Sequence, residues 1–222
     1  MHDLDETIRR RHSVRGFLPD RPVPRALLLE ALELAQQAPS NCNVQPWRVY
    51  IASGNRCQRV RAALTVAAQG GQLPAPEDAL DQFHAEYRRR QVECAAALYG
   101  EMGVARDDYE GRARAMLRNF EFFDAPHVAF VCMDKKFGQR VALDVGTWLQ
   151  TFLLALAARG VATCAQASLS SYPAIVRHEL GIPDDLRILC GVSLGYEDTS
   201  APANRARPGR QTLAENVVLL DD

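Results

Sequence analysis

The sequence has 222 residues, of which 47% are hydrophobic and 24% are charged, a composition that excludes a disordered or fibrous chain. Its 26 lysines and arginines nearly balance 27 aspartates and glutamates, giving a formal net charge of -1, so a protein held to nucleic acid by counterion release is not expected. A chain of this length suits one domain, residues 1–222, around a single hydrophobic core.

The cysteines indicate the compartment. The six of them are scattered without a CxxC pair, and several lie in apolar runs, which predicts free thiols in a reducing cytoplasm. Cysteine and histidine are too dispersed for a zinc site, so no metal is predicted. The longest apolar block, residues 152–158, is far shorter than the ~20 residues of a membrane span, and no membrane contact is expected.

The first part of the chain predicts a helix, a strand and a second helix. Residues 24–38 carry apolar side chains at helical spacing, and residues 47–53 alternate as a strand does. Residues 56–68 predict another helix, followed by a loop at 69–76. Helices that precede any strand favour an α+β fold over a doubly wound sheet.

A charged helical stretch follows at residues 77–124. It is broken near Gly103 into two arms, which carry FHAEYRRRQVECAAALY and DYEGRARAMLRNFEFF. We expect this stretch to be an excursion from the core. The arginine triplet at residues 88–90 is interpreted as a solvated helix face rather than a phosphate site.

The second half predicts the centre of the fold. Residues 128–133 are apolar on both faces, as in a buried strand. The next helix ends before Gly160, where a C-terminal cap belongs, and its apolar positions recur on several sides, which predicts the central helix. Strands are predicted at 161–167 and 187–196, with a helix at 172–182 between them.

The C-terminal tail, residues 200–222, is rich in proline and arginine and ends in a strand candidate at 216–220. Such a segment needs another surface to pack on. We therefore expect residues 202–220 to wrap across the partner in a homodimer.

One motif is rejected. Residues 191–195, GVSLG, match the nucleophile elbow of α/β-hydrolases, with Ser193 as the nucleophile. No helical pattern follows, and the last histidine, His178, precedes the serine instead of following it. We expect the glycines and the serine to thin a crowded strand. No dinucleotide fingerprint, P-loop or zinc-protease motif is present, and no catalytic side chain is predicted.

Three polar segments remain at the ends of predicted elements. Residues 9–17, RRRHSVRGF, place guanidinium, imidazole and hydroxyl groups where the first helix ends. Residues 38–47, APSNCNVQPW, form a tight polar loop before a strand, and the tail adds ANRARPGR at 203–210. Such groups suit a ligand that carries a phosphate at one end and carbonyl groups at the other.

These three segments, together with residues 144–163, resemble in order the conserved blocks of the FMN-dependent nitroreductase family. The resemblance implies an α+β fold with a central mixed β-sheet flanked by helices, in an intertwined homodimer that exchanges its C-terminal tail. It also implies FMN as cofactor, NAD(P)H as electron donor and a ping-pong mechanism that reduces nitroaromatic, quinone or related acceptors. Ala165 and Ser168 stand where the family usually has a proline and a glycine.

Carried over by residue, the resemblance assigns the flavin site. Arg11, Arg205 and Arg207 would bind the phosphate, and His12, Ser13 and Arg15 the ribityl chain and the pyrimidine edge. Backbone groups of Gln166, Ala167 and Ser168 would lie near N5 and O4. From the other subunit would come Pro39, Ser40, Asn41 and Asn43.

The excursion is expected to select the substrate. Tyr87, Phe120 and Phe123, with Phe122, could form an aromatic wall on which a flat, electron-poor ring stacks. The alternative is that these rings belong to the core. Two other functions stay open: a non-catalytic flavin-binding protein, and a deiodinase or flavin-fragmenting branch of the same family. The deiodinase lid carries Glu, Tyr and Lys, whereas here Glu86, Tyr87 and Arg90 are too closely spaced to match it.

Overall fold

The computed structural model describes residues 3–78 and 82–221. None of the described helices is long and apolar enough to cross a membrane. The α-helices are α1 (Leu4–Arg10), α2 (Arg25–Ala35), α3 (Gly54–Gln69), α4 (Ala85–Glu101), α5 (Tyr109–Leu117), α6 (Gln139–Ala157), α7 (Pro173–Leu180) and α8 (Leu213–Asn216). The strands are β1 (Trp47–Ser53), β2 (His127–Asp134), β3 (Ala162–Gln166) and β4 (Leu186–Gly195).

Helices cover both faces of a single four-stranded sheet, whose strand order is β1-β2-β4-β3. The helices α2 and α6 pack on one face, and α3 and α7 on the other. Along β2, Val128 and Phe130 point to the α3 side, whereas Ala129 and Val131 point to the α6 side. The prediction of a strand buried on both faces is confirmed.

The expectation of a mixed sheet is wrong for these four strands, because every neighbouring pair runs antiparallel. Parallel pairing among the described residues is an isolated bridge between Ser13 and Thr163.

Helix α6 is the predicted central helix. It buries Trp148 and Phe152, whose rings stack 5.2 Å apart, and Trp148 also stacks on Trp47 of β1. Gly160 follows the helix with a φ of 73°, a left-handed conformation that glycine adopts without a steric penalty. The predicted cap is therefore confirmed.

The excursion consists of α4 and α5, joined by a turn at Gly103. None of the 17 residues of α4 is buried, although a helix of this length normally derives its stability from a packed face. Residues 79–81, at the start of the predicted excursion, lie outside the described part of the chain. The excursion therefore leaves most of its side chains uncovered by its own subunit.

The tail runs along α4 of its own chain. Nε of Arg205 lies 2.9 Å from the Glu101 carboxylate at the end of α4. Farther on, hydrogen bonds from Thr212 lower the pKa of Glu215, and the nearby Arg89 and Arg90 of α4 lower it further. The strand predicted at 216–220 is wrong in this chain, because extended backbone becomes a strand only beside a hydrogen-bonding neighbour. The apolar residues Val218, Leu219 and Leu220 are instead exposed.

The glycines of GVSLG have a packing role, as predicted. A Cβ on Gly191 would collide with the side chain of Leu169, and one on Gly195 would lie 2.7 Å from Cδ of Pro126. Ser193 is fully buried and donates its hydroxyl hydrogen to Oε1 of Gln166. A buried serine that is already bonded in this way is not a nucleophile at the mouth of a site.

Candidate functional site

The first predicted site segment lies against β3. Residues 12–17 leave α1 and run beside the strand, where the N–H of Val14 donates to the Thr163 carbonyl at 3.0 Å. The N–H of Phe17 donates to the carbonyl of Phe123, also at 3.0 Å. These bonds fix the backbone from which Arg11, Ser13 and Arg15 project.

Arg11 lines a cavity of about 170 Å³ between the end of α1, the end of α6 and the start of β3. Its side chain is half-buried, and within the described ranges it has no hydrogen-bond or ion-pair partner. A guanidinium has five N–H donors that match the oxygens of a phosphate. This unpartnered cation is the feature of the cavity that fits the predicted phosphate.

The ring of His12 is held by the protein itself. Nδ1 lies 2.9 Å from the carbonyl oxygen of Arg10, and Nε2 lies 3.1 Å from the Glu197 carboxylate. Both ring nitrogens are thus engaged within this chain. The predicted contact of the His12 ring with a ribityl chain is not supported by this arrangement, whereas Glu197 was not predicted at all.

Asn204 joins the tail to the Arg15 segment. Its Oδ1 accepts the Arg15 N–H at 2.6 Å, and its Nδ2 donates to the carbonyls of Gly16 and Asp198, each at 2.8 Å. Asn204 is buried, and its own carbonyl accepts a hydrogen bond from Arg207. Arg207 therefore lies beside Asn204 and the Arg15 segment, whereas the prediction placed it with Arg11 at the phosphate, and it does not line the cavity of Arg11.

Arg205 is placed differently from the prediction. Its guanidinium forms an ion pair with Glu101 of α4 and is mostly exposed. The reason is the short helical turn Pro202–Arg205, which directs neighbouring side chains to different sides. Within this chain Arg205 binds the excursion, and it does not share a pocket with Arg11.

The loop after β3 is anchored by a residue that the sequence did not reveal. Nε2 of Gln166 donates to the Asn119 carbonyl at 3.0 Å, and Oγ of Ser168 lies 3.3 Å from Oδ1 of Asn119. Asn119 also lines a second cavity together with Arg15. Its one sequence signal is its position: it is the polar residue that directly precedes the aromatic run of 120–123.

The second cavity, of about 90 Å³, lies between the Arg15 segment and the two helices of the excursion. Thioether, aromatic and aliphatic groups form most of its lining. The lining residues are Arg15, Leu98, Tyr99, Met102, Ala115, Met116, Arg118, Asn119, Phe123 and Ala203.

The predicted aromatic wall is divided in this chain. Phe123 lines the second cavity, whereas Phe120 packs on Tyr172 with ring centroids 5.4 Å apart. Tyr87 is half-exposed on α4, with the Arg90 guanidinium 5.0 Å from its ring. Phe122 is fully buried in the core. Only Phe123 of these residues therefore reaches a cavity that Arg15 also lines.

The backbone around Phe123 is strained. Phe122, Phe123 and Asp124 have φ values of 57°, 53° and 69°, which is unfavourable for residues that carry a Cβ. Arg118 clamps the turn by donating to both carboxylate oxygens of Asp124, at 3.1 and 2.6 Å, and these hydrogen bonds raise the pKa of Arg118. A turn of this kind persists only where its surroundings enforce it.

The polar loop before β1 is bound to the first half of α6. Oγ1 of Thr147 donates to the Pro39 carbonyl at 2.9 Å, and the Asn41 N–H donates to the Asp144 carboxylate at 3.1 Å. Oγ of Ser40 accepts the N–H of Gln45 at 2.9 Å. Cys42, Asn43 and Gln45 have φ values near 50°, so this loop is strained as well.

The polar loop and the cavity of Arg11 are the two halves of the predicted site, and they lie apart within one chain. The polar loop contacts α6 at Asp144 and Thr147, whereas the cavity of Arg11 contacts it at Ala157. Since an α-helix rises roughly 1.5 Å per residue, Thr147 and Ala157 are about 15 Å apart along the axis. Within one chain the polar loop and the cavity of Arg11 therefore lie at different levels of α6.

Comparison with known proteins places the chain among flavoenzymes. The profile of the Nitroreductase family matches residues 8–196. The chain is 34% identical to the 4-nitrobenzoate reductase of Pseudomonas putida over 94% of this chain and 92% of that protein, and 35% identical to the chloronitrobenzene nitroreductase of Comamonas testosteroni over 96% and 94%. The crystal structure of the FMN-dependent nitroreductase NfnB from Mycobacterium smegmatis in complex with NADPH superposes with a TM-score of 0.92, at 34% identity, over 99% of this chain and 100% of that one.

Proposed function

The chain belongs to the nitroreductase family, and on that premise we propose that it is an FMN-dependent oxidoreductase that takes electrons from NADPH and reduces nitroaromatic compounds. The observation that carries the proposal is the half-buried, unpartnered guanidinium of Arg11 in a cavity beside the Arg15 segment. A phosphate-bearing cofactor is the ligand that such a group fits.

The residues present fit FMN. Arg11 would hold the phosphate, and Arg207, next to Asn204, would add a second cation from the tail. Arg15 and Asn119 share one cavity and can offer donors to the carbonyl edge of the ring. Ser13 and the loop 166–168 complete the assignment, with Gln166 and Ser168 oriented by Asn119.

When bound, FMN would supply the redox chemistry, since a flavin accepts a hydride from a nicotinamide and passes electrons on to an acceptor. The protein would contribute binding, orientation and charge. A fixed cation such as Arg15 favours the accumulation of negative charge at the edge that it faces. No side-chain nucleophile or base is required for this role.

We further propose a homodimer in which Pro39, Ser40, Asn41 and Asn43 of one copy complete the flavin site of the other. The separation of the two site halves along α6 supports this arrangement. The exposed face of α6 supports it as well, because Leu143 is 72% exposed and Gly146 is a mid-helix glycine open to solvent. The apolar end of the tail, residues 217–220, then has a partner surface on which to pack.

The substrate would bind beside the excursion. Of the three predicted aromatic residues, Phe123 lines the cavity of Arg15 and would contact the acceptor there. Tyr87 offers an exposed ring on α4, and Phe120 would support the wall from behind through Tyr172. A flat nitroaromatic ring stacks well on such a surface.

Anaerobic spectroscopy tests the proposed function. The purified protein should be yellow, should bleach when NADPH is added, and should regain its absorbance when a nitroarene follows. A yellow protein that does not bleach would indicate the non-catalytic flavin-binding alternative. A colourless protein that cannot be reconstituted with FMN would contradict both.

A further inference from the structure

The loop that follows β3, residues 166–168, is anchored at both ends by the core. Gln166 is buried, pairs with Gly191 across the sheet and accepts the hydroxyl hydrogen of Ser193 at Oε1. The residue after the loop, Leu169, is fully buried and packs so closely on Gly191 that a Cβ there would collide with it. Both ends of the loop therefore have a fixed position on the sheet.

The middle of the loop is held by the excursion. Ala167 is exposed and Ser168 is half-buried, so burial alone does not fix these two residues. The Ser168 hydroxyl donates to Oδ1 of Asn119 at 3.3 Å, across 49 positions in the chain. Among the described residues, Asn119 is the hydrogen-bond partner of this hydroxyl. The conformation of the loop therefore depends on a side chain at the end of α5.

Asn119 can serve as an anchor because its own position is fixed. Its Nδ2 donates to the Met116 carbonyl at 3.0 Å, and its carbonyl accepts the Phe122 N–H at 3.2 Å and Nε2 of Gln166 at 3.0 Å. These bonds also orient the carboxamide, since Nδ2 faces a carbonyl that can only accept and Oδ1 faces groups that donate. Asn119 lies between α5 and the strained turn at 122–124, so it is part of the excursion.

We propose that Asn119 is a positioning residue for the flavin ring, an inference that rests on the proposed function. Through its bond with Ser168 it keeps the loop 166–168 in one conformation, and it acts on the ring through the backbone of that loop. A loop that is ordered before its ligand arrives loses less conformational entropy on binding. Asn119 also lines the cavity of Arg15, so the same bond ties the flavin loop to the excursion beside which the substrate would bind.

The test measures the dissociation constants of FMN and of riboflavin, which has the same ring but lacks the phosphate. The proteins compared are the wild type, Asn119→Ala, Ser168→Ala and the double variant. Flavin released on serial dilution and ultrafiltration is measured by fluorescence, and riboflavin-loaded samples are prepared by exchange. Each single variant should bind both flavins about five-fold more weakly, the effect of one neutral hydrogen bond. The ratio of the two constants should stay at the wild-type value, because the phosphate is not involved.

The double variant shows whether the two residues act through one bond. If they do, the second substitution has nothing further to remove, and the double variant should also bind both flavins about five-fold more weakly than the wild type. Independent contributions would multiply to about twenty-five-fold, which would overturn the inference while leaving the proposed function intact. A loss of affinity for FMN alone would overturn it as well, since the effect would then lie at the phosphate.

Asp108→Ala is the matched control. Oδ1 of Asp108 accepts the Gly111 N–H at 2.7 Å, so this substitution weakens α5 at the end opposite to Asn119. Visible circular dichroism of the bound flavin reports the surroundings of the ring. The spectrum should change in the same way in Asn119→Ala and Ser168→Ala, and the control should keep the wild-type spectrum and affinity.

Two further outcomes separate the inference from the proposed function. A control that loses as much flavin affinity as Asn119→Ala would assign the effect to the stability of the excursion and would overturn the inference alone. A wild-type protein that binds neither flavin would overturn the proposed function as well.

Discussion

The backbone N–H of Arg15 donates to Oδ1 of Asn204 at 2.6 Å, although 189 positions separate the two residues in the chain. Asn204 is buried and uses its amide group on two further carbonyls. This single side chain therefore couples the C-terminal tail to the segment that would face the flavin.

Replacing Asn204 with alanine should disconnect the tail from the Arg15 segment. The change leaves the half-buried Arg15 N–H without its partner and removes one of the two hydrogen bonds at each of the Gly16 and Asp198 carbonyls, so we expect the free energy of unfolding to fall by about 1–3 kcal/mol. FMN affinity should fall in the same variant. Urea unfolding and flavin titration measure the two effects. A variant with unchanged stability would show that the tail is held by other contacts.

Arg11→Ala should weaken FMN binding by more than ten-fold, since a charge-assisted contact with a phosphate is worth ~1.5–3 kcal/mol. The matched control is Arg9→Ala, because Arg9 lies two residues earlier, is mostly exposed and pairs with Asp5. The control should bind FMN as the wild type does. Flavin titrations of the three proteins decide the matter, and equal affinities would refute the role of Arg11.

Gly146 tests the dimer. A Cβ at this position would meet no atom within 4 Å in a single chain, so the isolated subunit should tolerate Gly146→Leu. If α6 packs on a second copy, the same side chain should collide there and shift the protein towards monomers in sedimentation experiments. Ala62→Leu, on the exposed side of α3, is the control and should not alter the assembly. An unchanged dimer in Gly146→Leu would place the interface elsewhere.

Burial lowers the pKa of His127, which predicts a loss of stability in acid. The ring accepts the Val23 N–H at Nε2, 2.8 Å away, and Nδ1 lies 2.6 Å from the Ser53 hydroxyl, so the folded protein holds a neutral ring. As the pH falls below the usual histidine pKa of about 6.5, the unfolded chain takes up a proton that the folded protein does not accept. The free energy of unfolding should decrease over that range.

Urea unfolding between neutral and mildly acidic pH measures this term. In His127→Gln the decrease should be smaller than in the wild type. His178→Gln serves as the control, since the His178 side chain is 85% exposed, and it should leave the pH dependence unchanged. Identical pH profiles for all three proteins would exclude His127 as the cause.

The buried thiols should be inert in the native protein. Burial raises the pKa of Cys57, Cys164 and Cys190 to about 11 and that of Cys132 to about 12, so almost no thiolate is present at neutral pH. The exposed Cys94 should react with iodoacetamide, whereas the buried Cys57, Cys132 and Cys164 should react only after unfolding. Peptide mass spectrometry distinguishes the sites, and native labelling of Cys164, which lies within β3, would contradict the packing of that strand.

The sequence by itself determined the elements of this fold. The apolar run of β2, the stacked apolar faces of α6 and the left-handed cap at Gly160 all follow from local spacing, because helix and strand periods are properties of neighbouring residues. The crowding at Gly191 and Gly195 was also predictable, since small residues in an apolar strand indicate close packing.

Only the tertiary structure decided how the polar groups are shared. Asn204 accepts the N–H of Arg15 and so joins the tail to that segment, and Arg205 pairs with Glu101 rather than lining the phosphate cavity. Residues 216–220 are no strand in this chain because no neighbouring strand pairs with them. A hydrogen-bond partner or an ion-pair partner far away in the chain leaves no periodic signal in the sequence, so these contacts emerge only once the packed elements have brought the groups together.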